Sequence, residues 1–95
     1  MRVQLSRTAQ HHLKELDDYI AERSPAGSER VTDGIYDIIE KLTDFPQLGH
    51  VGRVAGTREF AVPKTQYILA YFINGDTVTV LAVIHGAQLW PRKFN

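Results

Sequence analysis

At 95 residues, 43% hydrophobic and 23% charged, the chain is long enough for one small core and no second domain, so residues 1–95 read as a single domain. No apolar run approaches the roughly 20 residues needed to span a bilayer, and the start Met1-Arg2-Val3-Gln4 lacks the apolar region of a signal peptide. Zero cysteines exclude disulfides, thiolate metal sites and a Cys nucleophile. A soluble, cytoplasmic protein with no membrane partner is therefore expected. Eleven Lys/Arg balance eleven Asp/Glu, which counts against direct, tight nucleic-acid binding. The halves nevertheless differ: residues 1–50 hold six basic and nine acidic side chains, whereas residues 51–95 hold five and two. That asymmetry reads either as an ordinary solvated helical half or as an anionic target on the strand half.

A short strand, Val3 to Leu5, opens the chain, and Ser6 can cap a helix in which Ala9, Leu13, Leu16 and Ile20 form one apolar stripe. Ser24 and Pro25 suit the cap and first position of a second helix. Its stripe is Val31, Ile35, Ile38, Leu42 and Phe45. Two such stripes joined by a short connection predict an αα-hairpin. Gly34 should cost the second helix about 1 kcal/mol relative to Ala, and close packing of the first helix would explain it. Pro46, Gly49, Gly52 and Gly56 mark a mobile or tightly turned loop. It lacks the Gly-Lys-Ser/Thr ending of a phosphate-binding loop.

Strands follow at Thr57 to Val62, Tyr67 to Ile73 and Thr77 to His85, the last two joined by Asn74-Gly75-Asp76, a hairpin signal because Asn and Gly both tolerate positive φ. Strict alternation in the last strand would send Val78, Val80, Ala82 and Ile84 one way and Leu81 and Val83 the other. Both faces are then apolar, which marks a central strand. Helices cover one face; Leu89, Trp90 and Phe94 of the tail, a partner or the curl of the sheet cover the other. The expected fold is α+β, in the order β-α-α-β-β-β, with a helical hairpin packed on a small antiparallel sheet.

Gly56-Thr57-Arg58-Glu59-Phe60-Ala61-Val62-Pro63, Tyr67-Ile68-Leu69-Ala70-Tyr71 and the run from Val78 to His85-Gly86, in this order and spacing, resemble the C-terminal half of the ParE/RelE toxins of bacterial toxin-antitoxin systems. With the opening strand, the Ser24-Pro25 break and the Phe45-Pro46-Gln47-Leu48-Gly49 close, the resemblance covers nearly the whole chain. It implies a type II toxin neutralised by a cognate antitoxin. RelE-type members cut ribosome-bound messenger RNA with basic strand residues and a Tyr or His near the C-terminus. Here Ile68 stands where nucleases commonly carry Arg, and no Tyr follows the last strand. The His85-Gly86 step is ParE-like, and ParE-like members bind DNA gyrase without catalysis. Gln88 stands where many of them carry Arg.

The expected function is therefore a non-catalytic gyrase inhibitor, with a ribosome-dependent endoribonuclease as the alternative and a decayed toxin that only binds antitoxin as the third reading. Arg53, Arg58, His85 and Arg92 are the candidate target-binding residues. Each has a structural reading beside it: Arg58 can pair with Glu59 or a helix carboxylate, Arg53 can be merely exposed, and His85 can bond backbone at a strand end. Leu13, Leu16 and Trp90 are the candidate antitoxin-binding residues, on the view that a disordered antitoxin segment folds along the toxin. No cofactor is expected. Nor is a metal, because His11, His12 and His50 have no ligand partner at a credible spacing.

Overall fold

The computed structural model describes residues 1–23 and 25–94, with the side chains of 25–30 left undescribed. Strand β1 (Arg2–Leu5) leads into helices α1 (Arg7–Arg23) and α2 (Pro25–Lys41), followed by β2 (His50–Val51), β3 (Arg58–Ala61), β4 (Tyr67–Asn74) and β5 (Thr77–His85). The five strands form one sheet in the order β1-β5-β4-β3-β2. Thus the α+β architecture is as expected, with two differences. The first and last strands pair in parallel, Val3 opposite Val78 and Leu5 opposite Val80, so the sheet is mixed. A two-residue edge strand, β2, forms inside the Gly-rich loop, where His50 and Val51 pair with Glu59 and Arg58.

Ser6 starts α1 as expected: its hydroxyl oxygen accepts the Ala9 N–H at 3.0 Å. The role assigned to Ser24 falls outside the described residues. The stripes of the two helices, Ala9, Leu13 and Leu16 with Ile35, Ile38, Ile39 and Leu42, are buried against Val62, Leu69, Tyr71, Val78, Val80 and Val83 of the sheet. Phe45 falls outside this stripe. After Lys41 the bonding tightens to Thr43 N–H on the Glu40 carbonyl and Asp44 N–H on that of Lys41, so the helical register is lost and Phe45 emerges into solvent.

Alternation in β5 breaks at Leu81. Ala70 pairs with Ala82 and Tyr71 with Val80, which leaves Leu81 without a partner on β4. This bulge switches faces: Val78, Val80 and Val83 join the helical core, while Ala82 and Ile84 turn to the opposite side. There Trp90 and Phe94 cover Ala70, Ala82 and Ile84, so the tail supplies the second cover; Leu89 is left 98% exposed. The β4–β5 turn is centred one residue later than the Asn-Gly signal suggests. Asn74 pairs with Thr77, and of the two turn residues Gly75 carries positive φ, at 60°.

Gly34 does not mark close packing of α1. A Cβ there would meet Val62 Cγ1, before the β3–β4 turn, at 3.9 Å, an ordinary van der Waals distance. Gly34→Ala is therefore expected to stabilise the protein by up to about 1 kcal/mol. That corresponds to a rise of roughly 4–8 °C in a thermal melt; a fall would mean the backbone around Gly34 needs more room than this geometry shows.

Candidate functional site

The edge of the sheet beside β2 is built around Tyr71. Its buried hydroxyl donates to the Pro46 carbonyl and accepts the Gly49 N–H, each at 2.8 Å, tying the loop after α2 to the sheet. Gly49 is required by this approach, since a Cβ would lie 2.6 Å from the Glu59 carbonyl oxygen. Arg58, opposite Tyr71 on β4, shares its face of the sheet and donates from a guanidinium nitrogen to the Gly49 carbonyl at 2.6 Å. Arg58 and Glu59 cannot pair, because neighbours along a strand point to opposite faces.

Glu59 instead turns with Ala70 to the second face, where it is 2% exposed. Arg53 reaches it from the loop. The Arg53 backbone N–H donates to Glu59 Oε2 at 2.7 Å, and Nε and a terminal nitrogen of the guanidinium contact the carboxylate at 3.1 Å. Burial pushes the Glu59 carboxyl up, but hydrogen bonds and charge from Arg53 outweigh it and hold the pKa below its ordinary value. The guanidinium also lies 3.7 Å from the centre of the Trp90 ring, a cation–π stack that fastens the tail. Trp90 Nε1 is buried with no hydrogen-bond partner among the described residues.

A third feature is an open cleft of about 610 Å³ between α1 and the end of β5, lined by His12, Glu15, Leu16, Tyr19, Tyr67, Val83, His85 and Gln88. Strand β1 ends at Leu5, opposite Val80, so the rest of β5 has no strand on that side. Side chains take its backbone groups. The Ser6 hydroxyl donates to the Leu81 carbonyl, the Val83 N–H donates to His12 Nδ1 at 3.2 Å, and the His85 N–H donates to Gln88 Oε1. His85 accepts the Ala87 N–H on Nδ1 and bonds Gln66 Oε1 through Nε2, with its ring edge-on to Tyr67. Both of its ring nitrogens are thus engaged.

Because His12 Nδ1 is an acceptor, the imidazole in this arrangement is neutral. Burial lowers its pKa, and charge from His11 adds to that effect against the opposing pull of Glu15. A folded-state pKa below the unfolded value makes the unfolded chain bind more protons, so the contribution is complete above the ordinary value of 6.5 and is lost as pH falls from there through the lower folded-state value. Thermal melts between about pH 7.5 and about 5.5 should show the midpoint falling with acid. His12→Gln, which keeps an acceptor but does not titrate, should flatten that slope; an unchanged slope would assign it to other groups.

The candidate target residues are therefore dispersed. Arg58 lies on the helix-covered face at the β2 edge, Arg53 on the second face, and His85 in the α1 cleft. Arg92 is exposed in the tail, with no hydrogen bond or ion pair to the described residues. Of the candidate antitoxin residues, Leu13 and Leu16 are only 6% and 7% exposed, inside the core, while Trp90 is partly accessible. Among the described residues, the large hydrophobic side chains that α1 and α2 expose are Tyr19 and Tyr36. Glu59, Tyr19, Tyr67 and His12 did not stand out as site residues. Glu59 left a signal, being an acid in mid-strand within a half that has only two.

Residues 3–90 match the family model described as the ParE toxin of the type II toxin-antitoxin system parDE. The chain belongs to this ParE toxin family. A relative in Sinorhizobium fredii (strain NBRC 101917 / NGR234), named "Putative toxin Y4kP", is 33% identical over 91 residues, covering 96% of this chain and 94% of that protein. The fold is similar to a solved chain of a chromosomal ParDE TA system from P. aeruginosa, with a TM-score of 0.80 over 90% of this chain and 95% of that one, at 16% identity. Membership of the ParE family implies a cognate antitoxin as partner. Among the described residues no helix is long and apolar enough to cross a membrane, and no three His, Cys, Asp or Glu gather as metal ligands.

Proposed function

We propose that this ParE-family toxin inhibits DNA gyrase by binding, without catalysis, in the bacterial cytoplasm, and that its cognate antitoxin neutralises this growth inhibition. The observation that carries the non-catalytic reading is the engagement of His85: one ring nitrogen accepts a backbone N–H and the other bonds Gln66, so the proton-transfer group nearest the C-terminus is already committed. The two arginines of the strand half that a nuclease could use for phosphate are tied up as well, Arg53 on Glu59 and Arg58 on the Gly49 carbonyl. Of the three arginines of the strand half, Arg92, exposed in the tail beside Lys93, is the one with no hydrogen bond or ion pair among the described residues, and it is assigned here to the target.

Purified protein should block supercoiling by gyrase and leave ribosome-bound message uncut. Arg92→Glu should relieve supercoiling inhibition by at least tenfold, about 1.4 kcal/mol of target binding, without shifting the melt. Message cleavage alongside normal supercoiling would overturn the reading in favour of the endoribonuclease. A folded Arg92→Glu protein of full potency would remove the tail from the target surface.

A further inference from the structure

The chain after β5 divides in two by how it is held. From His85 to Gln88 it is pinned by hydrogen bonds: the Gly86 N–H donates to the Gln66 carbonyl, the Ala87 N–H to His85 Nδ1, the Gln88 N–H to the His85 carbonyl, and the His85 N–H to Gln88 Oε1. Residues 89–94 form no hydrogen bond or ion pair with the described residues. Ring contact alone docks them: Trp90 and Phe94 lie on Ala70, Ala82 and Ile84, and the Arg53 guanidinium closes over the Trp90 ring at 3.7 Å. The fit is loose. Trp90 Nε1 is buried without a partner among the described residues, and a space of about 280 Å³ remains between this segment and α1, lined by Thr8, Leu81, Pro91 and Phe94 among others. A segment with few buried contacts and no backbone hydrogen bonds belongs to the low end of local stability. An indole N–H that docking leaves unpaired recovers water when the ring lifts.

We infer that residues 89–94 form a strap that opens and closes on the second face of the sheet while the rest of the fold stays intact, with Trp90 as its latch and Arg53 as the catch. The hydrogen-bonded turn from Gly86 to Gln88 is its fixed end. Closed, the strap carries Arg92 and Lys93 between two docked rings, which fixes where those two charges stand. Open, it uncovers Ala70, Ala82 and Ile84 and releases both charges from the sheet. The inference goes beyond the gyrase reading and does not depend on it.

Trp90 is the sole tryptophan of the chain, so its emission reports the strap while far-UV circular dichroism reports the helices. In a urea titration of the full chain, the red shift of Trp90 should precede loss of the helical signal. Phe94→Ala removes one of the two docked rings and should raise the open fraction roughly tenfold. That is read as stronger quenching of Trp90 by acrylamide without denaturant, with the helical melt unmoved. Leu89→Ala, at a side chain 98% exposed, should leave quenching at the parent level. Coincident urea transitions in the parent would overturn the inference, since the tail would then belong to the single cooperative core. So would a Phe94→Ala protein whose quenching stays at the parent level or rises only as the helical melt falls. Neither antitoxin nor gyrase enters the experiment, so its failure is distinct from failure of the proposed function.

Discussion

Leu16→Asp is expected to yield a chain without a cooperative fold, whereas Tyr19→Asp, three residues further along the same helix, is expected to yield a folded one. Leu16 is 7% exposed and packed among the residues that join α1, α2 and the sheet, while Tyr19 is 56% exposed. Truncating a buried leucine alone costs about 2–5 kcal/mol, and an unpaired carboxylate in the same place adds several more. The total stability of a domain this size is only about 5–14 kcal/mol. Near-UV circular dichroism and a thermal melt are the measurements. A Leu16→Asp protein melting within a few degrees of the parent would show that the buried stripe does not hold the hairpin. Lost antitoxin binding in Leu13→Asp or Leu16→Asp would report unfolding, whereas Tyr19→Asp and Tyr36→Asp interrogate the outer helical surface itself.

Arg53→Ala is expected to cost about 1–3 kcal/mol, because it leaves the Glu59 carboxylate buried with only the backbone N–H of residue 53 as its partner there. This is below the roughly 3–5 kcal/mol for breaking a fully buried pair, since the Arg53 side chain is 47% exposed and its charge is screened by solvent. The double variant Arg53→Ala/Glu59→Gln should recover part of the loss. In the parent, Glu59 has a folded pKa below its ordinary value of 4.5. Its contribution is thus present above pH 4.5 and is lost as pH falls through the folded value. Arg53→Ala should shrink that acid-side loss. Chemical denaturation at neutral and acidic pH checks both statements; additive effects of the two substitutions would show that the pair is not coupled.

Local signals carried much of the fold. The i, i+3, i+4 stripes of α1 and α2, the cap at Ser6 and the extents of β4 and β5 follow from periodicity and turn chemistry, which act within a few residues. The parallel β1–β5 pair and the edge strand His50–Val51 depend on partners far along the chain or on two residues alone, and neither leaves a local pattern. The Leu81 bulge was hidden for a related reason: in an all-apolar strand, a change of phase exchanges one apolar residue for another. The site was less legible than the fold. Arg53, Arg58 and His85 were found as chemistry-bearing residues, but their employment by Glu59, Gly49, Gln66 and Ala87 is a matter of three-dimensional placement. Arg53 shows the gap most clearly, since loop position suggested mere exposure and the structure gives it a carboxylate and a tryptophan.

The side chains along the outer margin of β5 bear on colloidal behaviour. A nine-residue strand with apolar residues on both faces is the kind of segment that recruits copies of itself when its backbone is open. Strand β1 shields only the first part of it, and beyond that Ser6, His12 and Gln88 occupy the Leu81 carbonyl and the Val83 and His85 N–H groups, part of the backbone another chain would use to extend the sheet. These three contacts reduce the free backbone that this margin offers to a second chain, and the one from His12 requires an unprotonated Nδ1.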